Sequence, residues 1–174
     1  MMTKLNMAVT LDGRAVANFV LDFCESKGRR VTNLSLQKIV YFCHVWSLIE
    51  RRTPLVRHQF EAWEYGPVLQ YLYREFKMFD SEPIVGRATK IDPETGEKCV
   101  VGYELDRETG QLLDRVVDFY SRLSASDLVT LSHAKGGPWD EVWNHEGNLN
   151  PGMRIENAQI VRYYSRIRAP FTVQ

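Results

Sequence analysis

Several features on which enzymes and nucleic-acid binders depend are scarce or missing in this 174-residue chain. It has three cysteines, Cys24, Cys43 and Cys99, and no CxxC pair, which argues against a disulfide framework and a structural zinc site. The net charge is zero, with 22 basic and 22 acidic residues, whereas a nucleic-acid binder usually carries a basic excess. No stretch reaches the roughly 18 consecutive apolar residues of a membrane span. The N-terminal segment also lacks the apolar stretch of a secretory signal, so we expect a cytoplasmic protein without membrane association.

Residues that commonly carry catalysis are present without the spacing that catalysis needs. The four histidines form no HExxH pattern, so no metal site is predicted from His44, His58, His133 and His145. Cys43 lies in the most apolar stretch, where burial raises a thiol pKa and lowers its reactivity. Glycine-rich phosphate loops are absent. The sequence therefore predicts no catalytic residue, no metal and no cofactor.

Basic residues are concentrated near the beginning of the chain. The first 60 residues contain nine basic and four acidic side chains. Two arginine pairs follow or end predicted helices, where cations interact favourably with the helix dipole. We therefore expect no direct nucleic-acid binding from this group, which comprises Arg29, Arg30, Lys38, Arg51, Arg52 and Arg57.

Apolar residues recur at helical spacing along most of the chain, which predicts a mainly α fold. The first helix is expected between a cap at Asp12 and an end at Gly28. In residues 34–52 the apolar positions surround the helix, as is typical of a buried helix. We place that helix at the centre of the fold. Its side chains expected to be almost fully buried are Leu36, Ile39, Val40, Cys43, Val45 and Trp46.

Two breaks in the helical pattern predict further elements. Gly66-Pro67 is predicted to begin a helix that runs from Pro67 to about Phe79, because proline is favoured at the first helical position. Residues 83–106 are rich in β-branched residues on both sides of a turn at 93–96, which predicts a small hairpin. The fold is thus predicted as a single compact helical domain over residues 1–174, with a central buried helix and one small inserted β-hairpin.

The last third of the chain carries two helix signals. Ser124 and Asp127 have the spacing of a capping box. A last helix is predicted from about residue 156 to 168, which presents the apolar residues Ile160, Val161 and Tyr164.

Aromatic residues make up 11% of the chain, and several fall in predicted turns. Tyr, Trp and Arg are enriched as anchors in protein–protein interfaces. A helix starting at Gly66-Pro67 would present its first turns beside the irregular chain that precedes it. We therefore predict Tyr65, Tyr71 and Arg74 as partner-binding residues.

Three separated segments resemble a known family. Residues 34–41 (LSLQKIVY) are similar to its LxLQKLLYF helix, and residues 60–68 (FEAWEYGPV) to its EAWxYGPV segment. Residues 132–139 are similar to its TH…PW element, with Ser in place of Thr. The order and spacing are those of the Panacea family of SocA-like antitoxins and phage-associated proteins. The matching residues, which we expect to be structural, are Leu36, Gln37, Lys38, Tyr41, Trp63, Tyr65, Gly66, Pro67, His133, Pro138 and Trp139.

The resemblance implies a helical antitoxin that binds and neutralises a cognate protein toxin encoded by an adjacent gene. A variant, in which the antitoxin also delivers the toxin to a protease as an adaptor, is not separated from simple masking by the sequence. The family has no agreed catalytic site, and the hairpin of residues 83–106 lies outside the three segments. A DNA-binding phage or regulatory protein and an undetected hydrolase are the alternatives.

Gln37, Tyr41 and His44 form one polar line along the central helix, at positions i, i+4 and i+7. Buried polar groups need hydrogen-bond partners, so one interpretation is an internal hydrogen-bond network. The other is an exposed groove that accepts the toxin.

Overall fold

Helices dominate the computed structural model, which describes residues 9–144 and 151–171. Two short antiparallel hairpins interrupt them: β1 (Glu61–Trp63) pairs with β2 (Gly66–Val68), and β3 (Thr89–Ile91) with β4 (Lys98–Val100). The mainly α prediction is confirmed. The helices in the described ranges are α1 (Gly13–Ser26), α2 (Asn33–Trp46), α3 (Gln70–Phe76), α4 (Arg107–Tyr120), α5 (Ala125–Ser132), α6 (Pro138–Trp143) and α7 (Asn157–Tyr164).

Helix α1 begins and ends where its sequence indicates. The Asp12 side chain accepts a hydrogen bond from the backbone N–H of Arg14, which satisfies one of the free donors at the helix start. At the other end Gly28 has a φ of +66°, and its N–H donates to the carbonyl of Glu25. Glycine adopts this left-handed conformation at little cost, so the chain leaves the helix there.

Helix α2 is the centre of the core, as its all-round apolar pattern predicts. Thr32 and Ser35 form a capping box at its start, and a π-helical segment, Ser47–Arg51, continues its far end. Helices α1, α4 and α5 pack around it. All six side chains expected to be almost fully buried are no more than 1% exposed. Burying a large apolar side chain contributes roughly 1.5–3 kcal/mol, so the burial of this one helix is a substantial favourable contribution to folding.

The last helices follow the sequence only in part. Ser124 and Asp127 form the predicted capping box at the start of α5. In α7, Ile160 and Tyr164 are buried, but Val161 is 40% exposed. Val161 therefore faces outward, because a position adjacent to Ile160 on a helix points about 100° away from it.

The predicted helix start at Gly66-Pro67 is wrong, and a second hairpin lies there instead. Gly66 has a φ of +106°, which continues the turn of Glu64 and Tyr65 and brings the chain back alongside β1. Pro67 then pairs with Ala62 in a two-stranded sheet, where a proline is tolerated because the strand is an edge. Helix α3 begins only at Gln70.

The predicted hairpin within residues 83–106 is confirmed, with β3 and β4 at its centre. The carboxylate of Asp92 accepts hydrogen bonds from the N–H groups of Glu94 and Thr95. Gly96 closes the turn with a φ of +70°. No helix within the described ranges is long and apolar enough to cross a membrane.

Candidate functional site

The three sequence segments that carry the family resemblance meet at the first hairpin. Three side chains from helices α2 and α6 bind its backbone. The indole Nε1 of Trp139 donates to the carbonyl of Trp63 at 2.8 Å, and Nζ of Lys38 donates to the carbonyl of Pro67 at 3.1 Å. Oε1 of Gln37 accepts from the N–H of Leu69 at 3.0 Å. We call residues 61–69 the clamped hairpin, because side chains from two helices fix its backbone at three points.

Lys38 is the most unusual member of this group, because its side chain is 0% exposed. Burial lowers the pKa of its ammonium group to about 7, and no acidic side chain in the described part of the chain offsets that effect. An unpaired buried charge is costly, so such a group usually neutralises or keeps a specific partner. Here the partner is a backbone carbonyl of the clamped hairpin.

Gly66 makes room for this lysine. A Cβ at Gly66 would lie 2.5 Å from Cε of Lys38 and 2.5 Å from Oγ of Ser132, which is closer than real Cβ contacts allow. The positive φ of Gly66 also disfavours any side chain. Glycine is therefore required here twice, by the turn and by the close approach of Lys38 and Ser132.

A row of stacked rings leads from this buried group to the surface. The His133 ring lies 3.5 Å from the Trp139 ring at 5°, and the Trp139 ring lies 5.7 Å from that of Trp143 at 15°. Nε2 of His133 is buried and has no hydrogen-bond partner among the described residues. Burial, assisted by the positive charge of Lys38, lowers the pKa of His133 and so favours the neutral form of its ring.

The tip of the clamped hairpin is in solvent. Glu64 and Tyr65 are both exposed, and Tyr65 is 59% exposed. Just behind them, Trp63 packs edge-on against Tyr73 at 5.1 Å and donates to the carboxylate of Glu61 at 2.9 Å. The hairpin thus presents one large aromatic side chain on a backbone that the core holds in place.

Comparisons with known proteins identify the family that this arrangement represents. The family model described as Antitoxin SocA-like, Panacea domain matches residues 36–140, which include both hairpins. The chain belongs to the SocA-like Panacea family. It is 42% identical over 147 residues to Antitoxin SocA of Caulobacter vibrioides (strain NA1000 / CB15N), an alignment that covers 84% of this chain and 78% of that protein. No solved structure matches it.

The motif residues of this Panacea chain are mostly internal. Leu36 is in the core, and Pro138 begins α6 at its first position. Tyr65 is the exposed exception. Sequence reasoning expected structural roles for these residues but missed that Gln37, Lys38 and Trp139 all bind the backbone of one hairpin. The sequence feature that could have indicated the hairpin is the Tyr-Gly-Pro order, because it is compatible with a turn followed by an edge strand as well as with a helix start.

The three predicted partner-binding residues have different environments. Tyr65 at the hairpin tip and Arg74 on α3 are exposed. Tyr71 is half-buried, and its hydroxyl accepts a hydrogen bond from the N–H of Gly13 at 2.8 Å. Burial raises the pKa of Tyr71 to about 12. Tyr65 and Arg74 are therefore free to meet a partner, whereas the hydroxyl of Tyr71 is engaged at the start of α1.

The polar line along α2 is buried. Besides its bond to Leu69, Gln37 donates to Oδ1 of Asn33 at 3.4 Å. His44 accepts from the N–H of Leu55 at 3.2 Å, and its other nitrogen lies 2.8 Å from Oδ1 of Asn157. Burial lowers the pKa of His44 and raises that of Tyr41. Gln37 and His44 therefore belong to an internal hydrogen-bond network, whereas the buried hydroxyl of Tyr41 has no hydrogen-bond partner among the described residues. All three side chains are buried, so the line is not an exposed groove.

The residues considered for nucleophilic or metal chemistry are also internal or dispersed. Cys24 and Cys43 are buried, which raises the pKa of both thiols. No group of three or more metal-ligating side chains occurs in the ranges that the structure describes, and His145 lies outside those ranges. Ser132 donates to the carbonyl of Val129 at 2.8 Å.

Several of the early basic residues are engaged within the fold. Arg29 pairs with Asp118 at 3.0 Å, and Arg51 with Asp106 at 3.5 Å. Lys38 is buried in the clamped hairpin. Arg51 also lines a groove of about 980 Å³ between the π-helical segment and the start of α4. These contacts leave fewer cations for phosphate binding than the sequence count alone indicates.

Proposed function

We propose that this Panacea chain is an antitoxin that neutralises a cognate protein toxin by direct contact. The observation that carries the proposal is its 42% identity to Antitoxin SocA over 84% of the chain. The toxin is expected from an adjacent gene. In this proposal the protein acts in the cytoplasm as a binding protein, without catalysis, a metal or a cofactor, and without binding nucleic acid.

The arrangement of the motif residues supports a binding role. Lys38, Gln37 and Trp139 each contact backbone atoms of the clamped hairpin. A catalytic group would instead require a nucleophile beside a base, and a third group to orient that base. The motif side chains hold a surface loop in place, which is the kind of pre-organisation that strengthens binding.

The proposed contact surface is centred on Tyr65 at the hairpin tip and includes Arg74. Tyrosine and arginine are over-represented among residues whose removal costs at least 2 kcal/mol of binding free energy. Tyr71 is included as a third contact through its half-exposed ring, because its hydroxyl is already bonded to Gly13.

Co-expression with the product of the neighbouring gene tests the proposal. We expect the wild-type chain to rescue growth and to bind that product in a purified mixture. Tyr65→Ala is expected to weaken binding about thirtyfold. The matched control is Ile91→Ala, because Ile91 is a large apolar residue that is 62% exposed on the other hairpin. If the neighbouring product does not bind, or if Ile91→Ala weakens binding as much as Tyr65→Ala, the proposed surface is wrong.

The antitoxin could neutralise the toxin in two ways, by masking it or by also delivering it to a protease as an adaptor. Delivery predicts that the half-life of the toxin shortens when the antitoxin is present, whereas masking predicts that it stays the same or lengthens. A pulse-chase measurement with and without the antitoxin decides between the two.

A further inference from the structure

We propose that Lys38 is a positioning residue for partner binding, which fixes the Tyr65 tip by holding the carbonyl of Pro67. The inference rests on the proposed function, because it assigns a cause to the placement of the binding surface. Lys38 cannot touch a partner itself, since it is 0% exposed. Any effect on binding therefore has to pass through the hairpin.

The presence of a lysine here calls for a reason beyond packing. A buried amine loses its hydration, and methionine of similar length would fill the same space without that penalty. The neighbouring positions on α2, Ile39 and Val40, are apolar and just as buried. Lys38 makes a hydrogen bond that an apolar side chain at this position could not make, and the acceptor lies in β2.

Lys38 connects helix α2 to the chain beside the hairpin tip, so the position of the tip depends on the position of α2. Lys38 extends from α2, in which 12 of the 14 residues are buried, so the core holds the backbone from which its side chain starts. Its bond to Pro67 lies two residues beyond Tyr65, and Gly66 between them is packed against Cε of Lys38. Gln37 holds the chain farther along, at Leu69. Lys38 is thus the point at which the core fixes the chain directly after the turn.

Hydrogen–deuterium exchange of the purified protein tests this hold without any partner. In Lys38→Met we expect the amides of residues 64–66 and of Val68 to exchange about tenfold faster than in the wild type, since the carbonyl of Pro67 has lost its hydrogen bond from Lys38. Val116→Ala is the control, because Val116 is fully buried on α4 and the change destabilises the core without touching the hairpin. Equal exchange in Lys38→Met and wild type, or equal acceleration in Val116→Ala, would overturn the proposal. Should Lys38→Met fail to fold by circular dichroism, Lys38→Gln serves in its place, since its amide ends one bond short of the amine.

A double-mutant cycle with the purified product of the neighbouring gene tests the link to binding. Lys38→Met should weaken binding about tenfold in the wild-type background and less than about twofold in the Tyr65→Ala background. A merely structural lysine would give the same loss in both backgrounds, and that result would overturn the positioning role. If the wild-type chain itself does not bind the product, the proposed function fails together with the role of Lys38 in binding, while the exchange experiment still decides whether Lys38 holds the hairpin.

Discussion

The two hairpins of this protein have strands of equal length and the same antiparallel topology, but the rest of the chain holds them in different ways. In the clamped hairpin every residue of β2 is buried, and side chains from α2 and α6 bind the backbone beside the turn. The β3–β4 hairpin is exposed along most of both strands. It is fixed at its base, where Asn18 bonds to the N–H and carbonyl of Ala88 and to the carbonyl of Val101.

The difference shows what the family motif does in this fold. A two-stranded hairpin is marginally stable by itself in water, so its position depends on what contacts it. The β3–β4 hairpin is tied at its base, which leaves its tip free of the core. The clamped hairpin is tied within two residues of its tip, so Tyr65 has a defined position although it is exposed.

The largest loss of stability is expected when the glycine in the turn of the clamped hairpin is replaced, and the glycine in the other turn provides the comparison. Gly66→Ala should lower the free energy of unfolding by about 3 kcal/mol, because the new Cβ meets Lys38 and Ser132 in a strained conformation. Gly96→Ala should cost only about 1 kcal/mol, since its Cβ would meet open space and only the φ of +70° is unfavourable. Urea unfolding measures the free energy of unfolding of both variants. Equal losses would show that the two turns are held alike.

The next largest loss of stability is expected when the side chain that holds the base of the β3–β4 hairpin is removed. Asn18→Ala should lower the free energy of unfolding by about 2 kcal/mol, because the buried N–H of Ala88 and the carbonyl of Val101 lose the hydrogen bonds that Asn18 makes with them. Asn144→Ala is the control, since that side chain is exposed and donates to Asp140 within its own helix end. A loss below about 0.5 kcal/mol in Asn18→Ala would contradict the view that this hairpin depends on its base.

Lys38 gives the clamped hairpin a dependence on pH. Its pKa is lowered to about 7 in the folded protein, against 10.5 as its ordinary value. Between pH 7 and 8 the unfolded chain therefore binds more protons, so stability rises with pH, by about 1 kcal/mol over this interval. Lys38→Met should remove most of that rise. Urea unfolding of the wild type and of Lys38→Met at about pH 7.0, 7.5 and 8.0 measures the free energy of unfolding of each protein. If this free energy rises equally with pH in both proteins, the prediction is contradicted.

The smallest effects on stability are expected at the exposed tips and strands. Tyr65→Ala and Ile91→Ala should each change the free energy of unfolding by less than about 0.5 kcal/mol, because both side chains are largely in solvent. Thermal unfolding followed by circular dichroism measures the change. A larger loss in Tyr65→Ala would mean that this residue stabilises the hairpin itself, and its proposed role as a binding anchor would then need another test.

Much of the helical framework could be predicted from local sequence. The cap at Asp12, the left-handed end at Gly28 and the capping box at Ser124 each depend on residues within one turn of the chain. The burial of α2 also follows from the sequence, because apolar residues on all sides of a helix leave it no stable position except the interior. The exposed Tyr65 was predicted as a contact residue, but from a helix start that does not exist.

Only the tertiary structure decided what Gly66 and Pro67 do. A glycine followed by a proline is compatible with a helix start and with an edge strand, and no neighbouring residue chooses between them. The choice comes from Lys38, 29 positions before Pro67, and from Trp139, 76 positions after Trp63. Local periodicity carries no information about such separations. The amino-acid sequence therefore determined the helices and the buried centre, whereas the place where α2, the hairpin and α6 meet was determined by packing, because that is where Lys38 finds its hydrogen-bond acceptor.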